Sequence, residues 1–371
     1  MVFCIITHVI HGFENEEYFA YSPYVREMNI WSKYVDKLLI VAPIGLDEKN
    51  AIHINYNHKN IDFIKVKSFN FLSFKDTFAT LITLPKVIFT IFKAMKNADH
   101  IHLRCPGNMG LLGCFIQIFF PNKPKTAKYA GNWDPKSVQP LSYRLQKWIL
   151  SNTFLTKNMK VLVYGEWENS TKNIKPFFTA TYLESEKEKI EIRNLNSKIR
   201  FMFAGSLTNG KRPLYAVQII EKLKRKGIDL QLDIFGNGVE RQILENYIND
   251  NKLNDFVFLR GNKTQDEIKK AYIQSHFLIL PSKSEGWPKV VAEAMFWGCM
   301  PIATDVSCIS NMLAKEERGM ILSLDIEKDV DRISSIIFNK EEYSLKTEKG
   351  LIWSRKFTLD FFETEIKKIL S

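Results

Sequence analysis

Short apolar runs, each closed by a turn and followed by a stretch of helical spacing, recur along the whole chain. This alternation is the strongest constraint on its fold. In the first half the runs are "VFCIIT", "LLIVAP", "FIKVK", "HIHLR", "TAKYA" and "KVLVYG", with helical patterns near 78–97, 109–119 and 141–156. In the second half they are "IRFMFAG", "LQLDIFG", "FVFLRG", "HFLILP", "MPIAT" and "GMILS", with helices near 212–226, 238–250, 265–274 and 288–297. Runs that are apolar almost throughout predict parallel strands buried on both faces. The chain has 371 residues, too many for one ordinary core, so two α/β domains in series are expected. The polar stretch at 170–198 marks the join. We place the domains at 1–190 and 191–355, with 356–371 a helix packing back toward the first domain. A cleft facing the carboxyl ends of two sheets is the expected ligand site.

Five cysteines, odd in number and without a CxxC pair, argue for reduced thiols and against a disulfide framework or zinc site. The N-terminal "MVFCIITHVIHGF" reads as a buried strand and not a signal peptide. No apolar segment is long enough to predict a membrane span. The net charge is +11, and residues 51–165 hold all of the excess, with 16 Lys and Arg against 4 Asp and Glu. The same region holds "FNFLSF", "VIFTIFKAMK" and "CFIQIFF". Basic residues interleaved with long apolar ones predict an anionic membrane surface as partner, and not nucleic acid. The expected location is cytoplasmic, peripheral on the inner face of the membrane. The plainer alternative is a solvated face around an ordinary core.

Chemistry concentrates in the loops of the second half. After "FMFA", Gly205 allows a tight turn, and Pro213 suits the first turn of a helix. Lys211 and Arg212 at that helix start form a candidate phosphate clamp. Gly236-Asn237-Gly238 lets a ligand or another loop approach the backbone. "LRGNKTQDEIKKAY" carries a capping box at Thr264 and Glu267, and its functional reading, with Asn262, is a wall for a nucleobase. The stretch "PSKSEGWPKVVAEAM" is the most telling. Pro288 is expected at the first helical position, and Gly298 closes the helix. Val290, Val291, Ala294 and Met295 form its apolar stripe, with Glu293 off it. Glu285 precedes the helix, and Glu293 lies about 7–8 Å further along the axis. They are too far apart to share a proton. The spacing suits a long ligand held near each end, with a phosphate at the helix start between them.

With these residues in view, 199–322 resembles the nucleotide-sugar half of the GT-B glycosyltransferases, in particular the retaining enzymes of family 4. The matching features are the Gly205…Lys211 loop, the Gly236-x-Gly238 turn, and the E-x7-E of Glu285 and Glu293 followed by "EAM..G..PIAT". "RCPGNMGLLG" and "KYAGNWDP" resemble members that build bacterial surface polysaccharides. The resemblance implies two Rossmann-like domains facing across a cleft. It implies that Glu285 contacts the donor sugar, Glu293 the ribose and Lys211 the diphosphate. Where many members have an arginine after the strand, this chain has Ser206, and Arg212 is the substitute. Backbone amides of Gly286, Trp287, Lys289 and Val290 belong to the matching loop; Pro288 has none to give, so Lys289 and Val290 are the expected donors.

The first half is less explicit. Gly12 falls where, by resemblance, the first loop approaches the diphosphate. His8, His11, Tyr24 and Arg26 are candidate acceptor contacts, as is Asp134; Tyr21 belongs to the same stretch. Many members place a histidine after the strand equivalent to "TAKYA"; here stands Ala130-Gly131-Asn132-Trp133-Asp134, and Asn132 is assigned its role. His100 and His102 on "HIHLR" are taken to face opposite sides of the strand. Asp329-Val330-Asp331 is read as solvated helix and not as a metal site.

The resulting expectation is a retaining, metal-independent glycosyltransferase with no cofactor. Its substrates are a nucleoside-diphosphate sugar and a lipid-linked or oligosaccharide acceptor in bacterial surface-glycan synthesis. A nucleotide-sugar epimerase or hydrolase on the same fold is the principal alternative. A dinucleotide oxidoreductase lacks its GxGxxG after the first strand, and an idle binding subunit does not account for the near-complete donor loops.

Overall fold

The computed structural model describes residues 1–46, 48–50, 52–67 and 74–371. They divide into two compact units, Met1–Phe178 with Phe362–Ser371, and Thr179–Phe361. In the first, the elements are β1 (Val2–Ile6), β2 (His11–Glu14), β3 (Glu17–Tyr21), α1 (Ser22–Ser32), β4 (Lys37–Leu46), β5 (His53–Asn55), β6 (Ile61–Val66) and α2 (Phe74–Asn97). They continue with β7 (His100–Cys105), α3 (Asn108–Ile116), β8 (Lys125–Tyr129), α4 (Leu141–Ser151), β9 (Met159–Tyr164) and β10 (Ile174–Phe177). The parallel strands run β6-β4-β1-β7-β8-β9-β10, so connections leave both ways from the β1/β7 pair. That is the Rossmann arrangement.

The second unit holds β11 (Ile199–Ala204), α5 (Pro213–Arg225), β12 (Leu230–Phe235), α6 (Arg241–Asp250), β13 (Val257–Gly261), α7 (Gln265–Gln274), β14 (Phe277–Leu280) and α8 (Lys289–Phe296). After these come β15 (Met300–Thr304), α9 (Ile309–Met312), β16 (Met320–Leu322), α10 (Ile326–Phe338) and α11 (Lys340–Ser354). Helix α12 (Leu359–Leu370) ends the chain, and from Phe362 on it belongs to the first unit. The second sheet is wholly parallel, in the order β13-β12-β11-β14-β15-β16. Its switch point lies between β11 and β14.

Every run named in the sequence is a strand. The sequence reading passed over β2 and β3, a hairpin whose turn residues Asn15 and Glu16 both take positive φ (51° and 64°). Such a turn matches strand twist, but Asn-Glu lacks the glycine that announces it. The hairpin relocates Gly12. It lies in a strand and not in a loop, and a Cβ there would stand 2.1 Å from the Phe19 ring. Cross-strand packing against Phe19 accounts for a glycine at position 12.

His100 and His102 also need correction. Residues two apart on a strand share a face. Both rings meet the Thr126 hydroxyl, His100 Nε2 at 3.0 Å and His102 Nδ1 at 2.8 Å, and both stack on Phe3. Burial pushes their pKa values down to about 4 and about 3, with smaller effects from neighbouring charges. Beyond them on the same face lies a buried charge cluster. Glu27 on α1 pairs with Arg104 at 3.4 Å and Lys128 at 3.2 Å. Lys128, fully buried, also donates to the Phe178 carbonyl (2.9 Å) and lies 4.4 Å from the Phe177 ring and 5.5 Å from that of Phe362. The end of β10 and the end of the chain are both tied to this one ammonium.

Two outcomes follow. Glu27→Ala leaves two buried cations without a carboxylate and lowers stability by about 3–5 kcal/mol, read from urea unfolding. His11, whose pKa burial lowers to about 4, joins His100 and His102 as a neutral buried ring. The unfolded chain protonates these three rings near pH 6.5, while the folded chain resists until about pH 4. Their contribution is complete above the unfolded value and is lost as pH falls from there toward 4. Each costs about 1.4 kcal/mol per pH unit inside that window, so the urea midpoint drops between pH 7 and pH 5.

Candidate functional site

At the switch point of the second sheet, the loop after β11 and the loop after β14 emerge side by side at the carboxyl edge, the usual ligand position in such a sheet. Their shape is set by glycines. Gly205 N–H donates to the Phe235 carbonyl (3.0 Å), and Leu207 N–H to that of Asn237 (3.0 Å). A Cβ on Gly236 would stand 1.9 Å from the Gly205 carbonyl oxygen, and one on Gly238 would stand 2.4 Å from that of Leu207. Of the two readings of this turn, approach by another loop is the one the structure displays.

The two switch-point loops are then joined. Lys283 N–H donates to the Gly210 carbonyl at 2.8 Å, and its ammonium meets the Asn209 side chain. Arg212, left-handed at φ 49°, reaches the Pro281 carbonyl at 3.4 Å and leads into Pro213, the first residue of α5. Lys211 donates to Glu285 Oε1 at 2.5 Å, and Glu285 is the more buried partner, with 9% of its side chain exposed against 26%. The structure thus brings together the residue assigned to the phosphates and the one assigned to the sugar.

Pro288 stands just ahead of α8 and not at its first position. Lys289 N–H is consequently folded back onto the Trp287 carbonyl at 2.8 Å, and Val291 N–H is used by that of Pro288 at 2.9 Å. This corrects half of the expectation for the amide pair. Lys289 is engaged, while Val290 N–H meets no protein acceptor among the described residues. The Gly286 carbonyl is fixed from behind by the Ser307 hydroxyl (2.8 Å). The Trp287 ring packs against Trp353 and Phe357, at 6.3 and 5.7 Å between centroids. At the other end of the helix, Gly298 at φ 66° closes α8, and Cys299 N–H returns to the Ala294 carbonyl.

Glu293 is half-buried and held at both oxygens. Thr181 Oγ1 donates to Oε1 at 2.6 Å, and Tyr272 OH donates to Oε2 at 3.0 Å. Burial first, and then the Glu293 charge, raise the Tyr272 pKa well above its ordinary value, so the phenol remains a donor. Neither partner was foreseen: Thr181 lies in the stretch read as a polar join, and nothing local links Tyr272 to a residue 21 positions on. Asn262 is exposed beside Gly261, and the Thr264–Glu267 capping box is present.

Asp329 overturns the solvated reading of the Asp-Val-Asp triplet. It is fully buried and accepts from Ser323 N–H and Oγ, Leu324 N–H and Tyr215 OH. It shapes the turn after β16, while Asp331 pairs with Lys226 outside.

In the first unit, His8 is exposed on the loop after β1, and a Cβ on Gly107 would lie 2.6 Å from its Nδ1. His11 is fully buried, with Nδ1 against the Val9 carbonyl and Nε2 against Tyr56 OH, both at 2.8 Å. That engages both ring nitrogens in the fold. Tyr24 is buried with its ring edge-on to His11 and under Arg104. Arg26 is half-buried on α1. Asn132 Oδ1 accepts Asp134 N–H at 2.9 Å, and Asp134 Oδ1 accepts Lys136 N–H at 2.8 Å. Both side chains therefore fold their own loop. Arg104 and Glu27, beside these groups, were missed because their partners are far apart in sequence.

Residues 184–349 match the model of the family described as glycosyl transferases group 1. Protein CapJ of Staphylococcus aureus is 21% identical over 95% of this chain and 96% of its own length. An uncharacterized glycosyltransferase of Methanocaldococcus jannaschii is 28% identical, over 39% of this chain and 41% of its own. The amylovoran biosynthesis glycosyltransferase AmsK of Erwinia amylovora is 28% identical over 42% and 39%. The chain thus spans under half the length of the latter two relatives. Among solved structures, sucrose-phosphate synthase of Thermosynechococcus elongatus superposes with a TM-score of 0.70 at 14% identity, covering 100% of this chain and 98% of that one. Anabaena HepE in complex with UDP gives 0.70 at 11% identity over the same shares. These likenesses establish the fold: two Rossmann-like sheets of the GT-B type.

The loop packing is open to test. Gly236→Ala forces apart two backbones that touch and strains a residue at φ 128°. It lowers stability by about 2 kcal/mol or more in thermal unfolding, beyond the usual Gly-to-Ala range.

Proposed function

We propose that this chain, whose residues 184–349 match the group 1 glycosyltransferase family, is a transferase that moves a sugar from a nucleoside-diphosphate donor to a hydroxyl of a glycan or lipid-linked acceptor. The observation that carries this reading is the meeting of Lys211 and Glu285 from the two loops of the switch point, with Glu293 held further along α8. An ammonium, an open Val290 amide and the start of a helix suit a diphosphate. A carboxylate on either side of that position suits hydroxyls, those of the sugar at Glu285 and those of the ribose at Glu293.

With no ligand, Lys211 and Glu285 neutralise each other. A diphosphate brings more negative charge and draws the ammonium away, which frees Glu285 to accept from the sugar. As the bond from the anomeric carbon to the phosphate oxygen breaks, its electron pair goes to the diphosphate. Lys211, the Val290 amide and the α8 dipole stabilise the charge there. The acceptor oxygen bonds to the anomeric carbon on the face the diphosphate leaves, and the acceptor proton passes to the leaving oxygen. The product keeps its configuration. These groups supply the positive charge from the protein, so no metal is invoked. The similarity to the amylovoran biosynthesis glycosyltransferase AmsK supports a glycan acceptor, and the UDP bound to HepE makes uridine nucleotides the first donors to try.

A thermal-shift panel of nucleoside diphosphates and their sugars tests this. A ligand at about 100 times its Kd stabilises by about 2.7 kcal/mol, and a flat response to every nucleotide overturns the proposal. Lys211→Ala weakens the effective nucleotide by about tenfold or more, the loss of a charge-assisted contact, while the unliganded protein stays folded. Turnover of that donor persists in EDTA.

A further inference from the structure

Part of the basic excess of the first unit lies on a single helical layer, as Lys86, Lys93, Lys96, Arg144 and Lys147. Helices α2, α3 and α4 cover one face of its sheet, and α3 packs against both of the others. The apolar segments in this layer divide by residue. In "VIFTIFKAMK", Val87, Ile91, Ala94 and Met95 are core, while Phe89 is 68% exposed and Phe92 37%. In "CFIQIFF", Cys114 and Ile116 are core, while Phe115 is 43% and Phe119 72% exposed. The third segment, "FNFLSF", falls almost wholly on 68–73, outside the described residues.

The exposed aromatics are contiguous. Phe89 and Phe92 stand one turn apart, the Phe92 ring lies 6.3 Å from that of Phe119, and Phe115 is one turn before Phe119. On α4, Leu141, Leu145 and Trp148 form a stripe at helical spacing, with Trp148 60% exposed. A chain in water has no reason to leave so many large apolar side chains together on adjoining helices. Lys86, Lys93, Lys96 and Arg144 are exposed among them, and none stands in an ion pair among the described residues. Residues 84–160 contain twelve Lys and Arg against two Asp.

We infer that the α2–α3–α4 layer is a docking surface for an anionic lipid bilayer, with its aromatic side chains at the acyl boundary and its lysines and arginine among the headgroups. The charge fixes the occupant: a second copy of the same basic face would repel it, whereas acidic headgroups answer both the charge and the apolar side chains. A groove of about 650 Å³ between α2 and β6 adjoins the layer, and Phe89 and Lys93 line it together with Leu39, Phe63 and Ile64. Its mixed lining suits a lipid chain below a headgroup. The inference deepens the glycosyl-transfer reading, on which it rests for one point only, namely that a bilayer presents the acceptor.

Vesicle sedimentation of the full chain tests it. The protein pellets with phosphatidylglycerol-containing vesicles in 0.1 M salt and is released at about 0.5 M, as screening of exposed charge requires. It stays in solution with phosphatidylcholine alone. The triple substitution Phe89→Ser, Phe119→Ser and Trp148→Ser reduces partitioning at least tenfold, and Lys93→Glu with Arg144→Glu does the same on the anionic vesicles. All these side chains are exposed, so circular dichroism and the nucleotide thermal shift remain those of the wild type. Wild-type protein in the supernatant, equal binding to neutral vesicles, or undiminished binding by the variants overturns the inference. So does a dimer in ultracentrifugation that the triple substitution abolishes. The nucleotide shift is read without vesicles on residues of the second unit, so failure there separates from failure here.

Discussion

The second unit is organised around one close backbone approach. Where a side chain on residue 236 would begin, the Gly205 carbonyl is already present, 1.9 Å from the missing Cβ. This contact, with the paired bonds from Gly205 and Leu207 to the neighbouring turn, fixes the loop after β11. The loop after β14 is in turn fixed to it through Lys283 and Gly210. Lys211 and Glu285 therefore meet without either loop being part of a helix or strand. A parallel sheet supplies only the direction in which loops leave, and the glycines supply the distance between them.

The placement of the ion pair has a physical consequence. Glu285 is the more buried member and Lys211 retains solvent contact, so separating them costs less desolvation on the lysine side. Glu293 is arranged differently. Its partners are a hydroxyl and a phenol, both neutral donors, so its charge is oriented without being cancelled. One glutamate is held by a cation, the other by neutral donors.

How much of this was legible in the sequence follows from the range of each interaction. The strands of the second sheet, and β1, β4, β6, β7, β8 and β9 of the first, are local and apolar and readable from their runs, whereas the short β2, β3, β5 and β10 carry no such run. The capping box at Thr264, the closing Gly298 and the proline at the start of α5 were readable because each is set within a few residues. Pro288 was off by one position, and that changed which amide is open. The Asn15-Glu16 hairpin lacked its glycine, and the two histidines of β7 were put on opposite faces against the period of a strand. Asp329 was unreadable for another reason: its ligands come from a turn and from Tyr215, 114 residues away. Thr181, Tyr272 and the Glu27 cluster share that property.

The same cluster bears on what a charge count means. Of the twelve basic residues in 84–160, Lys125 and Lys128 are buried and Arg104 is nearly so. Lys125 donates to the Phe120 carbonyl, and burial lowers its pKa to about 8. Lys128 and Arg104 share Glu27, one carboxylate for two cations. These three stabilise the interior and add little to a surface field. Removing them from twelve leaves nine against Asp99 and Asp134. Five of the nine lie on α2 and α4: Lys86, Lys93, Lys96, Arg144 and Lys147. Because these five share their helices with exposed aromatics, the layer differs from an ordinary solvated face, where long charged side chains cover apolar surface and do not stand beside it bare.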